Sequence, residues 1–143
     1  MNCGLFLKGL QEHPDVVKMG TMSKVTVFIG DSVTDCDRLT QPPYGDGYVS
    51  NIVASGRLTG EIINVGISGH RLIDLENRWD VDVLAHNPTV VSVAIGVNDM
   101  WRRYDDNDPT SIEDFEDRYR RVLRATKAHG NPELVLCEPF LLS

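Results

Sequence analysis

Two segments of this chain are so apolar that they leave almost no choice of structure. Val25–Ile29 reads Val-Thr-Val-Phe-Ile, and Thr89–Ile95 is mostly β-branched. Neither has a polar face to offer water, so each reads as a strand buried on both sides. Glu61–Val65 and Leu134–Cys137 read as two further strands. The segments between them change period. Tyr48, Val49, Ile52 and Val53 recur at helical spacing, which predicts a helix from about Gly47 to Leu58. Leu72, Leu75, Trp79 and Val83 mark a second helical face, ending near Asn87-Pro88. Ile112, Phe115, Tyr119, Val122 and Leu123 mark a third. Thr110 or Ser111 is placed to cap that helix, with Glu113 completing a capping box from Thr110. His129-Gly130-Asn131-Pro132 stops it. Thr40–Asp46 and Asp105–Pro109 read as loops. The order is β-α-β-α-β-α-β, an α/β chain with a parallel sheet covered on both faces.

Such sheets place their sites just beyond the carboxyl ends of the strands. A short motif follows each of the first three strands. These are Gly30-Asp31-Ser32-Val33-Thr34-Asp35, Asn64-Val65-Gly66-Ile67-Ser68-Gly69 and Gly96-Val97-Asn98-Asp99. Acyl transfer needs a nucleophile, a base and donors for a developing oxyanion. Ser32 offers a hydroxyl at a strand end, Gly69 an unshielded backbone N–H, and Asn98 a side-chain amide. Taken singly, Asp31 or Ser32 is a helix cap, Gly69 a turn glycine and Asn98 an Asx turn. Their shared placement favours a nucleophile with an oxyanion hole.

Composition narrows the partners. The 143 residues make one domain, with 22–143 as its body and 1–21 as a weakly ordered extension ahead of Met22-Ser23-Lys24. The net charge of −7 disfavours nucleic acid and anionic membranes. No segment approaches the roughly 18 apolar residues of a membrane span. Cys3, Cys36 and Cys137 are odd in number and lack metal-ligand spacing, which fits a reducing cytoplasm. No cofactor or metal is expected: there is no dinucleotide fingerprint or phosphate-binding loop, and Asp35 and Asp37 read as solvated or capping carboxylates.

The three motifs resemble those of the SGNH (GDSL-type) hydrolases over about Lys24 to Leu142. The resemblance implies a flavodoxin-like three-layer α/β/α sandwich. It also implies Ser32 as nucleophile, with Ser32, Gly69 and Asn98 forming the oxyanion hole. Within the family, Gly96-Val97-Asn98-Asp99-Met100-Trp101-Arg102-Arg103-Tyr104-Asp105 is most similar to the bacterial carbohydrate (xylan) acetylesterases. This implies an ester of a small molecule or oligosaccharide as substrate. Asp31, Trp101 and Arg102 are then candidate substrate contacts, with Trp101 as core residue and Arg102 as surface ion pair the alternative reading. A lysophospholipase or thioesterase is the alternative within the family. A non-catalytic binding module, or the product of a truncated gene, is the alternative outside it.

The family's Asp-x-x-His block has no match here. The four histidines are His13, His70, His86 and His129, and none has aspartate three residues before it. Only His70 follows a site motif, and it lies on a different loop from the family's base. The chain is therefore expected to carry four of about five strands and to be weak or inactive alone. Without a fifth strand, Leu134–Cys137 is an exposed edge, which predicts self-association as a homo-oligomer.

Overall fold

A computed structural model describes residues 23–139. Its strands are β1 (Val25–Gly30), β2 (Glu61–Asn64), β3 (Val90–Ala94) and β4 (Glu133–Cys137). They form one parallel sheet in the order β2-β1-β3-β4. Around it lie α1 (Ser32–Asp35), α2 (Tyr48–Ala54), α3 (Leu72–Asp82), α4 (Val97–Asp105) and α5 (Ile112–Ala128). This is the α/β architecture expected from the strand pattern, and the strand order is that of a flavodoxin-like sheet.

All six residues of β1 are buried, as a strand flanked on both edges and both faces must be. Alternation sorts its side chains. Val25, Val27 and Ile29 join Val91, Val93 and Ile95 against Leu72, Leu75, Trp79 and Val83 on the α3 side and Val122 of α5. Phe28 points the other way and meets Tyr48 of α2 edge-on, with ring centroids 6.0 Å apart. Trp79 is buried with its polar atom satisfied: Nε1 donates to Thr126 Oγ1 at 2.9 Å, and that hydroxyl donates to the Val122 carbonyl at 2.7 Å. At the rim of the same helix pair, Arg118 and Arg121 both donate to the Glu76 carboxylate, at 2.7 and 2.6 Å. The Arg121 bond leads the causes that hold Glu76 below its usual range, against opposing burial.

Several details depart from the sequence expectation. The helix expected to reach Leu58 stops at Ala54, where Ser55 Oγ donates back to the Ile52 carbonyl and Gly56 adopts φ +67°. The helix through Trp79 ends at Asp82 and is followed by a 3-10 turn at Leu84–His86. Two helices have no apolar period in the sequence: the single turn α1, anticipated only by the cap reading of Asp31 or Ser32, and the nine-residue α4. α4 carries four charged residues among its nine, so it lacks the apolar period that reveals a helix in sequence. The α5 cap is Ser111, which accepts from Asp114 N–H at 3.0 Å. Thr110 instead donates to the Asp99 carboxylate, so the Thr110–Glu113 capping box does not form. Ile112 is 75% exposed rather than core, because it opens the helix before its inner face reaches the sheet. The expected extension at 1–21 lies outside the described residues.

Among the described residues β4 is an edge strand, with Val135 44% and Leu136 48% exposed on its opposite faces. No helix among the described residues is long and apolar enough to cross a membrane.

Candidate active site

Because β2, β1 and β3 are neighbours running parallel, their carboxyl ends open at one rim of the sheet. Strands about 4.8 Å apart bring the three following loops within about 10 Å of one another. The first loop turns at once into α1. Asp31 caps it, its Oδ1 accepting from the Val33 N–H at 3.0 Å. Asp31 is only 2% exposed, and burial pushes its carboxyl above the usual range. Ser32 opens the helix on the exposed side. As its first residue, Ser32 has a backbone N–H with no acceptor within the helix.

The second loop is moulded onto the first. Asn64, at the end of β2, accepts from Gly66 N–H at 2.9 Å and donates through Nδ2 to the Thr34 carbonyl at 2.7 Å. Gly66 lies directly against the α1 backbone. A Cβ there would stand 2.3 Å from the Asp35 nitrogen, so only glycine fits. Asp35 Oδ2 accepts from both the N–H and the hydroxyl of Ser68, at 3.0 and 2.8 Å. Arg38 Nε donates to the Gly66 carbonyl, and the guanidinium lies 3.6 Å from Asp35. Burial works to raise the Asp35 carboxyl, but the Ser68 hydrogen bonds and the Arg38 charge outweigh it and hold it below its ordinary value. Gly69 follows with φ +81° and open space around it; the nearest atom to a built Cβ is Arg102 Nη2, at 3.8 Å.

The third loop closes on the second. Asn98 is the second residue of α4, and its Nδ2 donates to the His70 carbonyl at 2.9 Å. An amide nitrogen carries two hydrogens, so that bond orients the group and leaves one N–H to give. Asp99 is buried and receives the Leu72 N–H at 3.1 Å, fixing α4 to the start of α3. Burial raises its carboxyl above the usual range. Trp101 and Arg102 lie three and four residues beyond Asn98, hence on its face of α4. Trp101 is 52% exposed, so it is no core residue. Arg102 pairs with Asp105 and Asp106 at 3.3 and 2.9 Å while its guanidinium reaches the edge of Gly69.

Ser32, Gly69 and Asn98 are thus brought to one rim by a continuous set of hydrogen bonds. Asp31, the third candidate substrate contact, is 2% exposed. It is a buried cap and lines an apolar cavity of about 270 Å³ with Val33, Tyr48, Ile95, Val97 and Cys137, on the α2 side. His86 and His129 lie at the opposite end of the sheet, where His129 Nε2 meets Asn87 Oδ1 at 3.2 Å. His70 is near the rim, but its Nδ1 is buried with no partner among the described residues. Burial first, and then the Arg78 charge, pulls its pKa down.

Sequence reasoning passed over Asp35, Arg38, Ser68 and Asp99 as working parts of the site. Asp35 and Ser68 are 33 residues apart, and no periodicity links them. The available signal was weaker: a carboxylate one turn after Ser32, and a second motif with two glycines close enough to touch it.

Comparison with known proteins agrees with this geometry. The model of the GDSL-like lipase/acylhydrolase family matches residues 28–142. An acetylxylan esterase of Geobacillus stearothermophilus is 35% identical over 88% of this chain, which spans 64% of that protein's length. The crystal structure of the acetylxylan esterase from that organism superposes with a TM-score of 0.73 at 34% identity, covering 82% of this chain and 60% of the other. A Parabacteroides merdae structure described as a GDSL-like lipase gives 0.74 at 38% identity, covering 84% and 61%. Three strand-end motifs on a 2-1-3-4 parallel sheet, with the family match running across all of them, make this chain a member of the GDSL-like lipase/acylhydrolase family.

Proposed function

We propose that this chain carries the nucleophile and oxyanion hole of a serine esterase that removes acetyl groups from carbohydrate esters. The observation that carries the reading is the Asn98–His70 hydrogen bond. It orients the amide and leaves its second N–H to give, and neither the Ser32 nor the Gly69 N–H has a hydrogen-bond acceptor among the described residues. Ser32 Oγ adds to the ester carbonyl carbon, and the carbonyl oxygen takes negative charge between these donors. Collapse breaks the bond to the sugar oxygen and leaves acetyl on Ser32. Water then releases acetate and restores the hydroxyl. The proton lost by Ser32 must be held by a base and returned to the departing sugar oxygen.

Among the described histidines only His70 is near the rim, and its Nδ1 is buried without a partner, so in our reading the base comes from elsewhere. In the Geobacillus esterase, solved variants described as catalytic mutants replace a serine, an aspartate and a histidine, the last two three positions apart. A pair of that kind, supplied from outside residues 23–139, completes the site in our reading. The chain by itself then turns over far below the order of 10 s⁻¹ typical of enzymes. Carbohydrate is favoured over a long acyl chain by Trp101, whose exposed indole stands one turn beyond Asn98, where a sugar face can stack. The free thiols Cys36 and Cys137 suit a reducing compartment such as the cytoplasm.

The test is acetate release from acetylated xylo-oligosaccharide by the chain and by Ser32→Ala. Slow release that Ser32→Ala abolishes is the expected result. Equal release by both would sink the assignment of Ser32.

A further inference from the structure

The three loops are not equally well supported by their own strands. Gly69 sits in a left-handed turn, exposed, with nothing within van der Waals reach except Arg102. The segment before it, Gly66 to Ser68, is held by Asn64 of β2, by the Gly30 carbonyl at the end of β1, which accepts from the Ile67 N–H at 3.1 Å, and by the first loop. Asp35 takes both donors of Ser68, Arg38 takes the Gly66 carbonyl, and Asn64 ties the Thr34 carbonyl to the Gly66 N–H. The absent Cβ of Gly66 lets the two backbones touch. Asp35 is the last residue of the helical turn that Ser32 opens. The carboxylate that clamps the second loop is thus rigidly tied to the nucleophile's own turn.

We infer that Asp35 is a positioning residue, clamping Ser68 so that the Gly69 N–H is held in register with Ser32. It touches no reacting atom. Its carboxylate sets the spacing between nucleophile and oxyanion donor across two loops, and Arg38 keeps it charged and oriented. The consequence for chemistry rests on the esterase reading above; the clamp itself does not. A misplacement of about 1 Å at a donor of this kind can cost up to about 100-fold in rate.

Two readouts on the full chain separate these layers. The first is amide hydrogen exchange at Ser68 in the parent, Asp35→Ala and Asp35→Asn. The Ser68 amide should be protected in the parent and exchange at least about tenfold faster in Asp35→Ala, and the core amides of β1 should not change. Asp35→Asn keeps an acceptor oxygen and should recover part of the protection. The second is covalent labelling of Ser32 by a fluorophosphonate. The rate at saturation should fall about tenfold or more in Asp35→Ala, with half-saturation unchanged and partial recovery in Asp35→Asn. Unchanged exchange at Ser68 overturns the clamp. Labelling of Asp35→Ala at the parent's rate overturns its role in register. A parent that neither labels nor releases acetate, with exchange altered as expected, supports the clamp and counts against the esterase reading alone.

Discussion

Asp35 and Asp31 show how two carboxylates four residues apart acquire opposite electrostatics. Asp31 is buried with one N–H donor, so its proton is held more tightly in the fold than in the open chain. Asp35 has two donors from Ser68 and an arginine beside it, so its proton is held less tightly. A carboxyl whose folded pKa is depressed adds stability above its unfolded value, near 3.9, and loses it as pH falls through the folded value. Asp35→Asn should therefore lower the melting temperature at pH 7 by an amount worth about 1 kcal/mol, and the difference should shrink toward zero as pH falls below the ordinary carboxylate range. Thermal melts across that range check it; a gap that widens in acid contradicts the arrangement. Asp31 has the reverse sign, stabilising in acid and giving that up as pH rises through its raised folded value.

At the scale of elements, what burial alone dictates was legible in advance and what polar contacts dictate was not. Val25–Ile29 and Thr89–Ile95 announce strands because nothing else buries such runs. Leu72, Leu75, Trp79 and Val83 announce the α3 face because that face is packed with no exposed gap. α4 was invisible because it is held by Asp99 and Asn98 at one end rather than by an apolar stripe. The site residues that end strands could be read from motifs, whereas Asp35 and Ser68 meet only once the chain has crossed the sheet. The α3–α5 packing invites a direct measurement. Trp79→Ala should cost about 3–5 kcal/mol in denaturant unfolding, since it empties a site that is fully enclosed. Trp79→Phe should cost distinctly less, because Thr126 keeps its bond to the Val122 carbonyl after losing the indole donor. Equal costs for the two would mean that the volume of the ring is not what holds the helices together.

For the whole molecule, the sheet is asymmetric. β1 is sealed on every side, while β4 shows Val135 and Leu136 on its two faces and an unpaired edge among the described residues. Apolar edges of this kind associate. Light scattering on the chain alone should show mass rising with concentration, and Val135→Lys should reduce it by placing a charge on the edge. A monomer at all concentrations would show that the edge is already protected.

The chain has two tryptophans, and the fold sends them to opposite worlds: Trp79 is 2% exposed and Trp101 is 52% exposed. Their emission is therefore separable by a water-borne quencher. Iodide should darken only the red-shifted share that belongs to Trp101, and unfolding should open the blue-shifted share to it as well. A sugar seated on Trp101 should shield the first share while leaving the second untouched. One cuvette thus distinguishes occupancy of the rim from integrity of the core without any label being attached.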